Sequence, residues 1–242
     1  MSAALGIIPA RYSSKRFPGK ALALINGRPL IAHVYKRAQK AQSLDRVVIA
    51  TDDKRIFQEC RSFGAEVRMT SPDHKTGTER ISEVAKDFNF PIIISIQGDE
   101  PLVHPEMIDS LIKVLQKKTA PMATLRQKNK NLEDLNNKNI VKIVIDCEEN
   151  ALYFSRSPIP HFPSGYFWHH IGVYGFQKSF LMKYKKMPVS FLEKSENLEQ
   201  LRVLENGYKI KTVETHLPAL SVNLPEDIAE VEKLMNKQRK NE

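Results

Sequence analysis

Apolar and polar positions alternate in a regular way along the first half of the chain. Four short runs have the composition and length of strands, and they lie at residues 5–10, 46–52, 66–70 and 91–97. Longer stretches, in which apolar residues recur every three or four positions, predict helices over residues 28–41, 53–64, 77–88 and 104–118. Because strands separated by amphipathic helices form parallel sheets covered on both faces, the pattern predicts an α/β fold with a mostly parallel sheet flanked by helices.

The second half of the chain has a less regular pattern. The remaining predicted strands lie at residues 122–126, 140–146, 169–176 and 208–215, and the remaining predicted helices at 190–207 and 224–238. Pro29 suits the first position of the 28–41 helix, whereas Gly64 and Gly207 suit the ends of the helices that they close. The sequence has no internal repeat, and 242 residues can bury a sizeable core, so we expect one domain over residues 1–242.

Composition is ordinary for a globular protein, with 41% hydrophobic and 27% charged residues. The apolar runs are all shorter than the roughly 18 residues of a membrane span, and no basic segment precedes the first of them. Cys60 and Cys147 have neither the CxxC spacing nor the His neighbours of a metal site. These features lead us to expect reduced thiols, no membrane partner and a cytoplasmic location.

The net charge of +9 admits nucleic acid, a membrane surface or an anionic substrate as a partner. Most of the lysines are spread along polar segments, without interleaved aromatic residues or a nucleic-acid-binding motif. We therefore interpret most of the charge as solvated surface and expect no nucleic-acid partner. The cations within residues 11–20 differ from the others, because they directly follow a predicted strand.

Polar residues follow or precede elements of the predicted sheet at 9–20, 96–101 and 221–227. In open α/β sheets, ligands bind at the carboxyl ends of the strands, so these junctions are the first candidates for a site. The first loop fits neither GxGxxG nor GxxxxGK[ST], which argues against a dinucleotide-binding dehydrogenase and a P-loop NTPase. It carries four cations, which are Arg11, Lys15, Arg16 and Lys20. A solvated turn is the alternative, but four cations after a buried strand favour binding of a phosphate group by side chains.

Asp99 and Glu100 follow the apolar run at residues 91–97. A carboxylate that faces a phosphate-binding loop is a typical Mg²⁺ ligand, because this ion takes one or two carboxylates and completes its shell with phosphate oxygens and water. A simple Gly-Asp-Pro turn is the alternative. The neighbouring basic loop favours a metal-binding role for Asp99, and less so for Glu100.

Two further groups of polar residues are weaker candidates for ligand binding. His169 and His170 are adjacent on a predicted strand and therefore point to opposite faces, so only one of them can face a given ligand. Glu196 and Gln200 lie four apart on the predicted 190–207 helix, where a solvated face is the simplest interpretation. Motifs for a covalent nucleophile are missing from the sequence.

An ordered series of motifs nevertheless resembles one family nearly end to end. The motifs in this series include IIPARYSSKRFPGKAL, HKTGTER, IQGDEP, ALYFSRSPIP, HHIGVYGF and LEQLRVLENG. Each motif alone is weak, but in this order they are similar to those of the 3-deoxy-manno-octulosonate cytidylyltransferases, or CMP-Kdo synthetases. The resemblance implies a Rossmann-like fold of the nucleotide-diphospho-sugar transferase type, with a smaller dimerisation and sugar-binding subregion. It also implies transfer of a cytidylyl group from CTP to Kdo with Mg²⁺, without a covalent enzyme intermediate.

The resemblance also assigns roles to residues. Those expected to act in catalysis are Arg11, Arg16, Lys20 and Asp99. Those expected to bind the nucleotide are Pro9, Ala10, Arg11, Ser14, Lys20, Thr76, Gly77, Arg80, Gln97 and Asp99. Those expected to contact the sugar acid are Arg156, His170, Tyr174, Glu199 and Gln200. By the same resemblance we expect a homodimer, with an inserted dimerisation subregion at about residues 150–190.

One position departs from the family pattern. Family members typically read VDTPED before the last helix, whereas this chain reads VNLPED, so Asn223 occupies the place of a second metal-ligating aspartate. An amide oxygen can still bind Mg²⁺, and we therefore expect Asp99 and Asn223 as the metal ligands. The change leaves open a preference for an 8-amino analogue of Kdo and a non-catalytic nucleotide-binding relative. Independently of this position, a nucleotidyltransferase of the same fold that uses a neuraminic-type acid or a sugar phosphate is a further alternative.

Overall fold

The computed structural model describes residues 3–14 and 16–239, and Lys15, one of the four predicted cations, lies outside them. Its strands are β1 (Ala4–Ala10), β2 (Leu24–Ile25), β3 (Arg28–Pro29), β4 (Arg46–Thr51), β5 (Val67–Met69), β6 (Ile92–Ser95), β7 (Met122–Asn129), β8 (Lys142–Ile145), β9 (Ala151–Ser155), β10 (Phe167–Gln177) and β11 (Ile210–Glu214). Its α-helices are α1 (Leu30–Ala38), α2 (Lys54–Ser62), α3 (Gly77–Ala85), α4 (Pro105–Gln116), α5 (Lys178–Tyr184), α6 (Phe191–Glu196), α7 (Leu201–Glu205) and α8 (Asp227–Arg239).

One compact unit comprises the described residues of Met1–Asp109 and Leu217–Glu242. Its sheet has the strand order β6-β1-β4-β5, and each of these pairs is parallel. Strands β1, β4 and β6 are buried almost throughout, which explains their continuous apolar sequences, whereas two of the three residues of the edge strand β5 are exposed. Parallel pairing brings the carboxyl ends of β1, β4 and β6 to one edge of this sheet, where the polar loops follow them.

The other unit comprises Ser110–His216. Here β11 pairs with β7 in parallel, while β7 with β10, β10 with β8, and β8 with β9 pair in antiparallel fashion. In α4, whose residues from Ser110 onward belong to this unit, the apolar residues Met107, Leu111, Ile112 and Leu115 are buried. The predicted α/β class, with a mostly parallel sheet and flanking helices, is confirmed.

The predicted helix at 190–207 is wrong in one respect, because it is two helices. Asn197 adopts a left-handed conformation with φ of 53° and ends α6, and α7 begins at Leu201. Asparagine tolerates this conformation better than most residues, so it can end a helix whose apolar spacing continues past it. Glu196 and Gln200 therefore do not share one helix face, contrary to the prediction.

The structure also differs from the sequence predictions in smaller ways. Pro29 lies just before α1 as its capping residue, with ψ of 140°, rather than at the first helical position. Strand β9 was not predicted, since its residues alternate poorly and Leu152 is exposed. The single domain and the dimerisation subregion at about 150–190 stay predictions. In the part of the chain that the structure describes, every helix is too short or too polar to span a membrane.

Candidate functional site

The basic loop after β1 is closed by backbone hydrogen bonds to a single residue. The carbonyl oxygen of Tyr12 accepts hydrogen bonds from the backbone N–H groups of Ser14 and Gly19, each at 2.9 Å. Gly19 has φ of 72°, a left-handed conformation that glycine adopts without a steric cost. Arg11 and Arg16 are exposed at this loop, whereas Lys20 follows the turn and is half-buried.

Lys20 joins three segments of the same unit. Its Nζ donates to Oδ2 of Asp99 at 2.6 Å and to the carbonyl oxygen of Val222 at 2.8 Å. The backbone N–H of Val222 in turn donates to the carbonyl oxygen of Asp99 at 2.8 Å. The structure thus brings together a cation from the predicted junction at 9–20, a carboxylate from the junction at 96–101 and the backbone of the junction at 221–227.

Asn223 lies beside the second cation of the loop. The Arg16 guanidinium donates to Oδ1 of Asn223 at 2.9 Å. The backbone N–H groups of Asn223 and Leu224 donate to Oδ2 of Asp227, the first residue of α8, at 2.6 and 2.8 Å. This carboxylate fixes the backbone at position 223, so the amide oxygen of Asn223 is held at the basic loop.

The loop after β6 approaches the end of β1 so closely that only glycine fits. A Cβ atom on Gly98 would lie 2.7 Å from the carbonyl oxygen of Pro9. A Cβ on Gly77, at the start of α3, would lie 3.4 Å from the Pro9 ring. Thr76 caps α3 by accepting the backbone N–H of Glu79 at 3.2 Å. Three segments predicted to bind the nucleotide therefore meet around Pro9, and Gly98 is a residue that the sequence reasoning missed.

Arg80 is buried and has partners inside the protein. Its guanidinium donates to Oδ2 of Asp52 at 2.7 Å, to the hydroxyl of Thr70 and to the carbonyl oxygen of Ser71 at 3.4 Å. Only 3% of its surface is exposed. Asp52 therefore balances the charge of Arg80, and the predicted contact of Arg80 with a nucleotide stays a prediction.

The two adjacent carboxyl groups of the second junction have different environments. Glu100 is buried, and burial, together with the charge of Asp99, raises its pKa to about 8. A carboxyl group with that pKa is mostly protonated at neutral pH. Lys20 contacts Asp99 of this pair, and the predicted metal-binding role of Asp99 stays a prediction.

The donor atoms near Lys20 are of the kind that Mg²⁺ takes. Asp99 offers a carboxylate and Asn223 an amide oxygen, both held beside the basic loop. Among residues 3–14 and 16–239, no group of three or more His, Cys, Asp or Glu side chains could hold a metal by itself. The residues present fit an ion that shares its coordination with phosphate oxygens better than one held by protein ligands alone.

The residues predicted to contact the sugar acid belong to the Ser110–His216 unit. The Arg156 guanidinium donates to the carbonyl oxygens of Glu196 at 3.0 Å, Lys138 at 2.9 Å and Asn197 at 3.5 Å. The Glu196 carboxylate accepts from the backbone N–H of Arg156 and from the Ser155 hydroxyl, both at 2.8 Å. Since three of the five guanidinium N–H groups have carbonyl partners, at most two are left for a carboxylate ligand.

His170 and Tyr174 are buried neighbours on β10, with ring centroids 5.4 Å apart. Nε2 of His170 lies 2.9 Å from the hydroxyl of Thr124, which also faces the carbonyl oxygens of Ile171 and Val173. The Thr124 hydroxyl has a single proton, so it donates to only one of these three partners at a time. The structure places these two predicted sugar contacts together, and their role stays a prediction.

Glu199 and Gln200 lie in the short segment between α6 and α7. The hydroxyl of Tyr184 donates to the carbonyl oxygen of Glu199 at 3.1 Å. Gln200 directly precedes α7 and is buried, with 2% of its surface exposed. The left-handed turn at Asn197 places both residues outside the regular helix in which the sequence pattern put them.

The half-buried His169 and the buried His170 on β10 predict a loss of stability in acid. Burial lowers the pKa of His169 to about 4 and that of His170 to about 3, from an ordinary value of 6.5. The unfolded chain therefore binds protons as the pH falls below about 6.5, whereas the folded chain does not, so stability decreases with falling pH. Between pH 7.5 and 5, we expect the free energy of unfolding in urea to fall by about 1–2 kcal/mol less in His169→Gln than in the wild type. The same change at exposed His216 should leave the pH dependence as it is, and an equal effect of both variants would contradict the prediction.

Comparison with known proteins places this chain in one family, over most of its length. The cytidylyltransferase family matches residues 5–210. A 3-deoxy-manno-octulosonate cytidylyltransferase of Pelobacter propionicus is 47% identical over 92% of this chain and 93% of its own length. The protein of the same name from Geobacter sulfurreducens is 48% identical over 93% of this chain and 96% of its own length.

Solved structures agree with this result. The CMP:2-keto-3-deoxy-manno-octonic acid synthetase complexed with CTP is 37% identical, and it matches with a TM-score of 0.93 over 98% of this chain and all of its own. A 4-diphosphocytidyl-2C-methyl-D-erythritol synthase from Anaerococcus prevotii has 13% identity and a TM-score of 0.65 over 97% of this chain and 96% of its own. The second similarity concerns the fold alone, and the predicted nucleotidyltransferase-like fold is confirmed.

Proposed function

Because this chain belongs to the 3-deoxy-manno-octulosonate cytidylyltransferases, we propose that it transfers the cytidylyl group of CTP to Kdo, giving CMP-Kdo and pyrophosphate. In this reaction the anomeric hydroxyl oxygen of Kdo bonds to the α-phosphorus of CTP. The bond between the α-phosphorus and the bridging oxygen breaks, pyrophosphate leaves, and the hydroxyl loses its proton. The product serves lipopolysaccharide synthesis. The observation that carries the proposal is the contact of Lys20 with Asp99 beside the basic loop.

The loop cations supply the charge that a triphosphate requires. Arg16 and Lys20 are held by contacts to Asn223 and Asp99, so they occupy fixed positions before any ligand arrives. Phosphoryl transfer is accelerated mainly by positioning and by neutralising charge on the phosphate oxygens. We therefore assign Arg11, Arg16 and Lys20 to the triphosphate, with both arginines exposed and Lys20 half-buried. The segments around Pro9 and Gly77 are assigned to the nucleoside.

Asp99 and Asn223 are the residues that would hold Mg²⁺. When bound with CTP, this ion neutralises phosphate charge and makes the α-phosphorus more electrophilic. In the protein alone, Lys20 donates to Asp99 and Arg16 donates to Asn223, so each proposed ligand has a cationic partner at hydrogen-bond distance. We propose that the triphosphate takes over these two cations, which leaves the oxygens of Asp99 and Asn223 for the ion.

The sugar acid is assigned to Arg156, His170, Tyr174, Glu199 and Gln200, on the strength of their motifs. Burial lowers the pKa of His170 well below 6.5, so its ring is neutral at physiological pH and can contribute a hydrogen bond but no charge. Arg156 is the cation of this set and has N–H groups left for one carboxylate. We propose in addition that the enzyme is cytoplasmic and works as a homodimer, which light scattering would detect as twice the monomer mass of 27.7 kDa.

A panel of acceptors tests the proposed reaction. The purified chain is incubated with CTP and Mg²⁺, and pyrophosphate release is measured with Kdo, 8-amino-Kdo, a neuraminic-type acid and a sugar phosphate in turn. We expect the highest kcat/KM with Kdo. A higher kcat/KM with another acceptor would identify that acceptor as the substrate. CTP binding without pyrophosphate release with any acceptor would identify a non-catalytic relative.

Asn223 offers a test of the proposed metal site. Replacing it with aspartate adds one negative charge where the Arg16 guanidinium now meets an amide oxygen. We expect Asn223→Asp to lower the Mg²⁺ concentration for half-maximal rate by about threefold to tenfold, because a charge a few ångströms away attracts the ion. The exposed Asn89 of the same unit provides a matched control, since Asn89→Asp makes the same charge change elsewhere. An unchanged Mg²⁺ dependence in Asn223→Asp would place this residue away from the metal.

A further inference from the structure

The aromatic ring of Tyr12 lies between a glycine and a guanidinium. The guanidinium carbon of Arg55 is 3.3 Å from the centroid of the Tyr12 ring. On the loop itself, a Cβ atom added to Gly19 would lie 3.1 Å from atoms of the same ring. Gly19 therefore lets the loop pack directly on Tyr12, and Arg55 contacts this ring through a cation–π interaction.

Arg55 is itself held in place at the first turn of α2. Its Nε donates to Oδ1 of Asp53 at 3.0 Å, and one terminal nitrogen donates to Oδ2 at 2.6 Å. Asp53 caps α2 by accepting the backbone N–H of Arg55 at 2.9 Å, and its own N–H donates to the hydroxyl of Thr51 at 3.2 Å. The bidentate pair fixes the plane of the guanidinium, so the Tyr12 ring rests on a group anchored to β4 and α2.

Tyr12 is also the residue that closes the basic loop, because its carbonyl oxygen accepts the N–H groups of Ser14 and Gly19. Anything that fixes Tyr12 therefore fixes the segment that carries Arg16 and leads to Lys20. We propose that Tyr12 and Arg55 are positioning residues, whose stack holds the basic loop in its CTP-binding conformation before CTP arrives. This inference rests on the proposed role of the loop in binding the triphosphate. Neither residue needs to touch the nucleotide.

The stack should affect the binding of CTP and leave the chemical step unchanged. A loop that must be ordered on binding weakens the affinity by the cost of ordering it, whereas its bound conformation stays the same. Loss of one exposed cation–π contact corresponds to about a twofold to fivefold weaker affinity. The KM for CTP and the CTP dissociation constant should both rise, while kcat at saturating CTP and the KM for Kdo should stay at their wild-type values.

Four variants test the proposal. Arg55→Gln removes the cation, Tyr12→Leu removes the ring, and the double variant removes both. Tyr12→Phe keeps the ring. Arg46→Gln is the matched control, since Arg46 is also exposed, paired in bidentate fashion with Glu66 and placed 4.9 Å from the Phe88 ring, but it lies at the start of β4.

We expect the KM and the calorimetric dissociation constant for CTP to rise about twofold to fivefold in Arg55→Gln and in Tyr12→Leu, and no further in the double variant, because both changes break the same contact. Tyr12→Phe and Arg46→Gln should match the wild type. Equal constants in Arg55→Gln, Tyr12→Leu and Arg46→Gln would overturn the proposal, as would a loss confined to kcat. A wild-type chain that neither binds nor turns over CTP would overturn the proposed function itself, so the two failures are distinguishable.

Discussion

Lys20→Met is expected to lower kcat/KM for formation of CMP-Kdo by about 10²–10³-fold, the range found when a charge-stabilising donor is removed from an active site. Methionine keeps the unbranched apolar stem of lysine and removes only the ammonium group. That group lies 2.6 Å from Asp99 and 2.8 Å from the carbonyl oxygen of Val222. The variant therefore loses both the proposed triphosphate contact and the tie between three segments. Steady-state pyrophosphate release measures the effect.

The control for Lys20→Met is the same substitution at Lys36, an exposed residue of α1 in the same unit. It removes an equal charge from the chain and should leave kcat/KM within about twofold, since exposed charges at a distance are screened by salt. If Lys20→Met and Lys36→Met had the same activity, Lys20 would not belong to the catalytic site. Urea unfolding of both variants excludes loss of the fold as the cause.

Arg202→Met is expected to lower the free energy of unfolding by about 3–5 kcal/mol, because it leaves a buried carboxylate without its partner. Nε of Arg202 donates to Oε2 of Glu193 at 2.6 Å and a terminal nitrogen donates to Oε1 at 2.5 Å. Only 4% of the Arg202 side chain and 9% of the Glu193 side chain are exposed. The pair joins α7 to α6 across the turn at Asn197. Urea denaturation at pH 7.5 measures the loss.

Two companion variants separate the buried pair from the general effect of losing an arginine. Arg202→Met combined with Glu193→Leu removes both charges, and it should be more stable than Arg202→Met alone, since no unpaired carboxylate is left. Arg46→Met breaks the exposed bidentate pair with Glu66 and should have a much smaller effect, because water solvates both partners. A loss in Arg202→Met as small as that in Arg46→Met would contradict the prediction.

The sequence predicted best those features that depend on the residues of a single strand or helix. The apolar runs that became β1, β4 and β6 are buried almost throughout, so their position follows from their apolar sequences and their parallel pairing from the amphipathic helices between them. The same logic located Lys20 and Asp99, since polar residues after parallel strands meet at one edge of the sheet. The structure adds their contact distance, which no spacing in the sequence contains.

The missed features depend on contacts between distant residues or on single backbone angles. Gly98 lies against the carbonyl oxygen of Pro9, 89 positions earlier, and nothing near Gly98 in the sequence indicates this approach. Arg80 donates to Asp52, which lies 28 positions earlier in the chain, and the sequence does not show that this cation has a carboxylate partner. The break at Asn197 is a local choice of a left-handed angle, which overrides a helical spacing of leucines on both sides.

The central claim is that this chain joins CTP to Kdo at the site formed around Lys20 and Asp99. Phosphorus NMR of the purified protein with CTP, Kdo and Mg²⁺ tests it most directly, because it resolves CTP, the phosphodiester of CMP-Kdo and pyrophosphate in one sample. We predict that the phosphodiester and pyrophosphate signals grow in equal amounts, and only when both Kdo and Mg²⁺ are present. Loss of CTP that does not depend on Kdo, or unchanged CTP in the complete mixture, would contradict the claim.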